Sequence, residues 1–226
     1  MLREYSPINI SDFLYYLANN SGEDGYLPSL SELSQQLGLS IATLREQLEV
    51  ARALGLVEVK PRTGVRRKPY SFTPAVRQSL RYAVALQDDH FKQYTDLRNH
   101  VETAYWEEAV RSLTTEDKQK LISIVDQAWV KLRGSPVQVP HAEHRQFHLL
   151  IYKRINNPFV TGILEAYWDA YEVVGLNFYT GGIDYLEEVW NYHTQMKDAI
   201  LAGDLKRGRN ALIQHVDLLA HRPGLT

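Results

Sequence analysis

The chain has 226 residues, of which 44% are hydrophobic and 23% charged, and its formal net charge is −2; these proportions are typical of a globular protein with a buried core. It contains no cysteine, which excludes disulfides, thiolate nucleophiles and sulfur-ligated zinc and leaves histidine, aspartate and glutamate as the strong side-chain metal ligands. No apolar run approaches the length needed to cross a bilayer, so we expect a cytoplasmic protein with no membrane partner.

Residues 29–54 carry the pattern of two short helices joined by a tight turn. Ser29 is placed to cap the first helix, with Glu32 three positions later as the partner of a capping box. Gly38 permits a sharp turn, and Ser40 is placed to cap the second helix. Apolar residues recur at helical spacing in both segments: Leu30, Leu33 and Leu37, then Leu44, Leu48, Ala51 and Leu54. This pattern predicts a helix-turn-helix.

The next stretch, "LVEVKPRTGVRRK", predicts a β-hairpin whose tip and return strand are basic. Residues 60–68 hold five basic side chains and no acidic one, a charge pattern suited to phosphate contact. If the second helix buries Leu44 and Leu48, its first turns present Arg45 outward, as a recognition helix does in the major groove of DNA. The alternative is a winged helix that contacts only protein, with Arg45 paired to an acid.

We therefore predict a set of DNA-contacting residues on the two helix starts and the hairpin tip. Arg45 is the expected reader of bases or phosphates, since a guanidinium can contact either. The full predicted set is Ser29, Ser31, Ser40, Ala42, Thr43, Arg45, Arg62, Thr63 and Gly64.

The stretch "LPSLSELSQQLGLSIATLREQLEVARALGLVEVKPRTG" closely resembles the DNA-binding head of the GntR family of bacterial transcription regulators. The usual pattern of that family is L-P-S-E-R-E-L, then G-V-S, V-R-E-A-L and G-L-V, with a glycine at the wing tip. Two positions depart from it: the family commonly has arginine where this chain has Ser31 and Ile41. Since both are usual DNA contacts, the resemblance does not imply a particular operator sequence.

From about residue 72 the periodicity is that of helices only. Two prolines between residues 68 and 74 break any continuous element, so we place a winged helix-turn-helix domain in residues 1–70 and an all-helical domain in residues 71–226. The expected fold is mostly α, with a C-terminal bundle of about six to seven helices. The predicted helices lie near 73–85, 88–112, 115–133, 140–155, 158–177, 184–202 and 204–221.

Four histidines fall on apolar helix faces of this predicted bundle. His144 and His148 are four residues apart on one face, and His193 and His215 lie on two other helices. Each alone is more easily explained as a core histidine bonded to a carbonyl or a tyrosine. Together they predict one site for a divalent metal ion, because neutral imidazoles suit zinc, nickel, cobalt or copper.

The C-terminal part resembles the FCD ligand-binding domain that follows the GntR head in the FadR-like branch. The resemblance is carried by "DLRNHVE", "FHLLIYKRINNPFV" and "HTQMKDAILAGDLKRGRNALIQH". It implies a divalent metal, zinc or nickel in our reading, on His148, His193 and His215, with His144 where the family has an aspartate. It also implies a homodimer that binds a palindromic double-stranded operator and responds to a small effector, usually a carboxylate.

For the effector we predict contacts from Arg98, Tyr152 and Trp190. A guanidinium fork matches a carboxylate, although Arg98 is equally suited to an ion pair with Glu102. Aromatic residues at helical spacing are often simply core.

The sequence is also compatible with a different class of function. An all-histidine metal ion with open coordination positions is also compatible with a metal-dependent enzyme that uses Glu143 or Asp169 as a base. The winged helix would then not bind DNA. Because a winged helix has no role in such a bundle enzyme, we expect a regulator without enzymatic activity.

Overall fold

The computed structural model describes residues 10–20, 25–60, 63–174 and 182–220. The chain divides into two compact units, Met1–Gln78 and Ser79–Thr226. None of the helices in the described ranges combines the length and the apolar character that a membrane-spanning helix requires. The predicted fold class, a winged helix-turn-helix followed by a helical bundle, is confirmed.

The N-terminal unit consists of three helices and a hairpin. These elements are α1 (Asp12–Asn19), α2 (Leu30–Leu37), α3 (Ile41–Ala53), β1 (Val57–Lys60) and β2 (Gly64–Arg67). The two strands are antiparallel, with Val57 opposite Arg67 and Lys60 opposite Gly64. Helix α1 is an addition to the predicted elements: it is only 8 residues long and buries Phe13 and Leu17, too few apolar positions for a clear periodic signal.

The predicted helix caps of α2 and α3 are present. The backbone N–H of Ser29 donates to the Glu32 carboxylate at 2.8 Å, and the Glu32 N–H donates to Ser29 Oγ at 3.3 Å, which completes the capping box. Gly38 ends α2 in the left-handed conformation with φ 66°. Ser40 Oγ accepts from the Thr43 N–H at 3.1 Å and so begins α3. These local contacts fix the turn between the two helices.

The core of the N-terminal unit lies between the three helices and the start of the hairpin. It consists of Phe13, Leu17, Leu33, Leu44, Leu48, Ala51 and Val57. Because Leu44 and Leu48 of α3 point into this core, Arg45 is left on the exposed face.

Gly55, between α3 and the hairpin, is placed where no side chain fits. Its φ is +72°, and an added Cβ would lie 2.4 Å from Pro74 Cγ. We expect Gly55→Ala to lower the free energy of unfolding by about 2–4 kcal/mol, from left-handed strain plus overpacking. Gly38→Ala is the control, since φ there is +66° with nothing within 4 Å of the added Cβ. Denaturant unfolding of both variants measures the difference, and equal losses would show that the Pro74 contact is unimportant.

The C-terminal part is built from seven helices in the described residues, and the first of them, α4, runs across the division between the two units. They are α4 (Thr73–Leu86), α5 (Asp89–Ser112), α6 (Thr115–Leu132), α7 (His141–Tyr152), α8 (Pro158–Val174), α9 (Ile183–Ala202) and α10 (Leu205–Ala220). Their described ends agree with the predicted ones to within one residue, apart from α7. The predicted ends of α8 and α10, at 177 and 221, lie outside the described residues.

Helix α7 ends at Tyr152, three residues earlier than predicted. The Ile155 N–H bonds to the Tyr152 carbonyl, one residue short of the α-helical partner. Asn157 then starts α8, because its side-chain oxygen accepts from the Phe159 N–H at 3.0 Å. The asparagine and proline that follow α7 therefore terminate it before the apolar pattern ends.

Packing in the C-terminal unit places five helices around one buried centre. Helix α9 packs against α6 and α10, α5 packs against α7, α8 and α10, and α7 packs against α6 and α8. The start of α6 is joined to the end of α7 by ion pairs from Asp117 to Lys153 and Arg154. The centre between α5, α7, α8, α9 and α10 holds the histidines.

Candidate functional site

Four histidines meet in the buried centre of the C-terminal unit. His144 and His148 come from α7, His193 from α9 and His215 from α10, and each is no more than 2% exposed. One ring nitrogen of each lies within 4.8 Å of the corresponding nitrogen of every other. The structure therefore brings together the four residues that the sequence singled out as candidate metal ligands.

The outward nitrogens of two of these rings are fixed by hydrogen bonds. His193 Nδ1–H donates to the Val189 carbonyl at 2.8 Å, and His148 Nδ1–H donates to the Glu102 carboxylate at 3.1 Å. Since a carbonyl and a carboxylate only accept, both rings carry their proton on Nδ1 when neutral. Their Nε2 lone pairs therefore point toward the centre.

The inward nitrogens are spaced as ligands of one ion would be. His148 Nε2 lies 3.2 Å from His193 Nε2, and His144 Nε2 lies 3.4 Å from His215 Nε2. Two unprotonated ring nitrogens at this distance repel each other through their lone pairs unless a cation or a proton lies between them. Metal–nitrogen bonds of roughly 2.0–2.1 Å place tetrahedral ligands about 3.3 Å apart. The residues present thus fit a small divalent ion that prefers imidazole, such as zinc, nickel, cobalt or copper.

The surroundings favour neutral imidazoles, the form that binds metal. Burial lowers the pKa of His144 well below its ordinary value, and the neighbouring histidines lower it further. Burial likewise lowers the pKa of His193 and, despite the nearby Glu102 carboxylate, that of His148. His144, His148 and His193 are therefore held uncharged at neutral pH.

Glu102 joins the histidine cluster to a buried arginine. Its Oε1 lies 2.9 Å from Arg98 Nη2, and both side chains are 1% exposed. Burial alone would raise the pKa of Glu102, but Arg98 and His148 together lower it, so the carboxylate stays ionised. The Tyr152 hydroxyl donates to the Glu102 carbonyl at 2.8 Å. Arg98 thus forms the internal ion pair that its spacing to Glu102 allows.

Aromatic rings surround the cluster. Trp190 stacks on His193 with ring centroids 4.5 Å apart, and Trp168 meets His144 edge-on at 4.8 Å. The Arg98 guanidinium lies 4.7 Å from the Tyr167 ring centroid. Of the predicted effector contacts, Trp190 therefore stacks on the cluster, Arg98 lies against its aromatic neighbours, and Tyr152 is joined to it through Glu102.

Glu102 as a partner of His148 is the site residue that the sequence did not indicate. The i, i+4 spacing of Arg98 and Glu102 was visible, but the contact with His148 joins residues 46 positions apart. Buried ligand-orienting partners typically account for 10–100-fold in metal affinity. We expect Glu102→Gln to weaken zinc binding by about that factor, measured by competition with a coloured chelator.

A double variant separates this effect from loss of folding stability. Glu102→Gln alone leaves Arg98 without its counter-charge, which costs on the order of 3–5 kcal/mol. Adding Arg98→Met removes the orphaned charge, so stability should recover while zinc affinity stays low. Zinc affinity that recovers together with stability would mean that Glu102 has only a structural role.

The predicted DNA-contacting residues lie on the surface of the N-terminal unit. Ala42 and Arg45 are exposed on α3, and among the described residues Arg45 forms no ion pair with an acid. Thr43 is half-buried, with its hydroxyl 2.9 Å from Ser40 Oγ. The remaining described members are all exposed, namely Ser29, Ser31, Ser40, Thr63 and Gly64. Arg62 lies outside the described residues.

One basic residue of the hairpin has a structural contact instead of facing outward. Arg67 is half-buried, and its Nη1 donates to the carbonyls of Leu17 at 2.8 Å and Asn20 at 3.2 Å. It therefore ties the return strand to the end of α1. The basic surface of the hairpin consists of fewer side chains than its sequence suggests.

Comparison with known proteins identifies the C-terminal unit. Residues 93–218, more than half of the chain, match the family described as the FCD domain. The chain belongs to the FCD domain family. No curated protein matches the sequence closely enough to be counted as a relative.

Solved structures resemble the FCD chain over nearly its whole length. A Streptococcus agalactiae GntR is 17% identical, with a TM-score of 0.66 over 92% of this chain and 94% of its own. The E. coli protein McbR/YncC is 19% identical, with a TM-score of 0.50 over 91% and 90%. At these identities the likeness establishes a shared fold, and it agrees with the GntR resemblance of the sequence.

The two acids considered as catalytic bases both form ion pairs in the FCD domain. Glu143 pairs with Lys131 at 2.7 Å, and Asp169 pairs with Arg145 at 2.8 Å. Both carboxylates thus have cationic partners outside the histidine cluster. Glu102, by contrast, contacts a histidine of the cluster and orients His148.

Proposed function

We propose that this chain is a homodimeric transcriptional regulator. A head of residues 1–70 binds a palindromic double-stranded operator, and an FCD domain of residues 71–226 binds a divalent metal ion, zinc or nickel, and a small carboxylate effector. The observation that supports this most strongly is the convergence of four buried imidazoles in a chain whose helix α3 also exposes one face carrying Arg45. Enzymatic activity is not proposed, because the candidate bases are paired elsewhere.

On DNA, α3 lies in the major groove with Arg45 at the base edges. Hydroxyls at the starts of α2 and α3 donate to phosphates, since side-chain hydroxyls and helix N-termini are common phosphate contacts. The tip of the hairpin, with Arg62, Thr63 and Gly64, lies along the backbone. A twofold dimer presents two such helices, so its operator is a palindrome with half-sites spaced by the distance between them.

In the FCD domain the protein holds the histidines ready for a metal ion. Val189 and Glu102 fix the Nδ1 protons of His193 and His148, so both Nε2 atoms face the ion. When bound, the ion would supply positive charge and, because zinc can expand to five ligands and nickel accepts more than four, a further position for a carboxylate oxygen beside the four imidazoles. The aromatic shell excludes water and strengthens the electrostatic attraction of an anion.

Regulation follows if the effector binds two arrangements of the dimer with different affinity. A ligand of equal affinity for both would shift neither population. Helices α7, α9 and α10 each contribute to the histidine cluster, so an effector bound there is in contact with three elements whose relative positions can change.

Selection of bound duplexes from a random pool tests the proposed DNA-binding function. Both the zinc-loaded and the metal-free full chain are used, because the ion can favour or oppose binding. We expect an enriched palindrome from at least one of the two forms. Failure of both forms to enrich any sequence would contradict the proposal.

A further inference from the structure

Buried hydrogen-bond donors of Trp168 and Arg98 lie beside the histidine cluster. Trp168 is 1% exposed, and neither its Nε1–H nor the Nε–H of Arg98 has a hydrogen-bond partner among the residues that the structure describes. Buried indole and guanidinium donors are normally paired, and leaving them unpaired is costly. An acceptor from a bound ligand would remove this cost.

Both donors border the candidate metal site. The Trp168 ring centroid lies 4.8 Å from that of His144 and 5.4 Å from that of His148. The Arg98 guanidinium lies 5.2 Å from the centroid of the Trp168 ring. One small molecule is therefore long enough to contact both the ion and these two donors.

The charges around the cluster favour a ligand with two negative charges. Imidazoles contribute no charge, so an ion on four of them keeps its full double positive charge. The nearest buried carboxylate, Glu102, is offset by Arg98. The other buried acids that the structure describes, Asp117 and Glu143, pair with lysine or arginine elsewhere. Unbalanced charge is expensive in a dry interior, and a dianion balances it.

We propose that the effector is a dicarboxylate and that Trp168 is one of the residues that bind it. One carboxylate lies at the histidine-held ion, and the second accepts from Trp168 Nε1–H and Arg98 Nε–H. This inference rests on the proposed metal and effector site, and it narrows the effector from carboxylates in general to those with two acidic groups.

Calorimetric titration of the zinc-loaded full chain with succinate and with butyrate tests the inference. The two probes have four carbons each and differ in the second carboxylate. We expect succinate to bind at least about tenfold more tightly, because charge-assisted hydrogen bonds are the strong ones. Trp168→Phe keeps an aromatic ring and removes the N–H, so it should weaken succinate about tenfold and leave butyrate unchanged.

Trp129→Phe is the matched control. It removes an indole that donates to Thr194 Oγ1 at 3.0 Å and should leave the ratio of succinate to butyrate affinity as it is in the parent. Zinc content and unfolding temperature are measured for every variant. Equal affinities in the parent, or a preference that survives Trp168→Phe at full zinc content, would overturn the inference.

Indole N–H resonances provide a second readout that needs no variant. The chain has 4 tryptophans, so few such signals are present, and one should shift on saturation with succinate but not with butyrate. Four unshifted signals, or no binding of succinate at all, would also overturn the dicarboxylate assignment. The palindrome selection would still decide the proposed DNA-binding function independently.

Discussion

Arg45→Ala is expected to weaken binding to the duplex selected by the parent protein by roughly 10- to 100-fold. This corresponds to the loss of about 1–3 kcal/mol when an arginine that contacts bases is removed. Arg45 is exposed on α3, and Leu44 beside it points into the core of the N-terminal unit. The substitution should therefore leave folding unchanged. Fluorescence anisotropy with the selected duplex at fixed salt measures the effect.

Arg52→Ala is the matched control for Arg45→Ala. Arg52 lies in the last turn of the same helix and pairs with Glu49 at 2.6 Å on the surface. Its removal takes away the same charge but no predicted base contact, so binding should fall only slightly and equally for all sequences. Equal losses for the two variants would mean that Arg45 contributes only general charge. Zinc content should be unchanged in both.

His148→Ala is expected to abolish the stabilisation of the chain by zinc. A ligand that binds only the folded state raises the free energy of unfolding by about 4 kcal/mol when its free concentration is 1,000 times its dissociation constant. In the parent, zinc should therefore raise the unfolding temperature by several degrees. In the variant it should have almost no effect, because a ligand and the link to Glu102 are lost together. Thermal unfolding with and without zinc measures the difference.

His100→Ala is the control for nonspecific zinc binding by imidazole. His100 is exposed on α5 and is not part of the histidine cluster. Its variant should keep the zinc response of the parent. A response that survives His148→Ala but disappears in His100→Ala would place zinc on the surface.

Most of the helices, and the caps of α2 and α3, could be predicted from sequence because the signals are local. The capping box of Ser29 and Glu32 joins residues three apart, and the periodicity that placed α9 needs only its own twenty residues. The convergence of His144, His193 and His215 was also foreseeable, since each lies on an apolar face that must turn inward.

The partners of these residues could not be predicted, because they come from distant parts of the chain. Glu102 reaches His148 across 46 positions, and Arg67 reaches Leu17 across 50. The sequence next to a basic hairpin residue does not show whether its side chain makes a structural contact or a phosphate contact. The metal ligands, the effector contacts and the division of the chain at residue 70 remain predictions.

The most direct test of the proposed metal site is the metal content of the untagged full chain, purified without chelator and measured by mass spectrometry. We expect close to one zinc or nickel ion per chain, either as purified or after incubation with the metal and removal of excess. A chain that stays metal-free after incubation with both metals would contradict the proposed site. The four histidines would then be core or pocket residues that share protons.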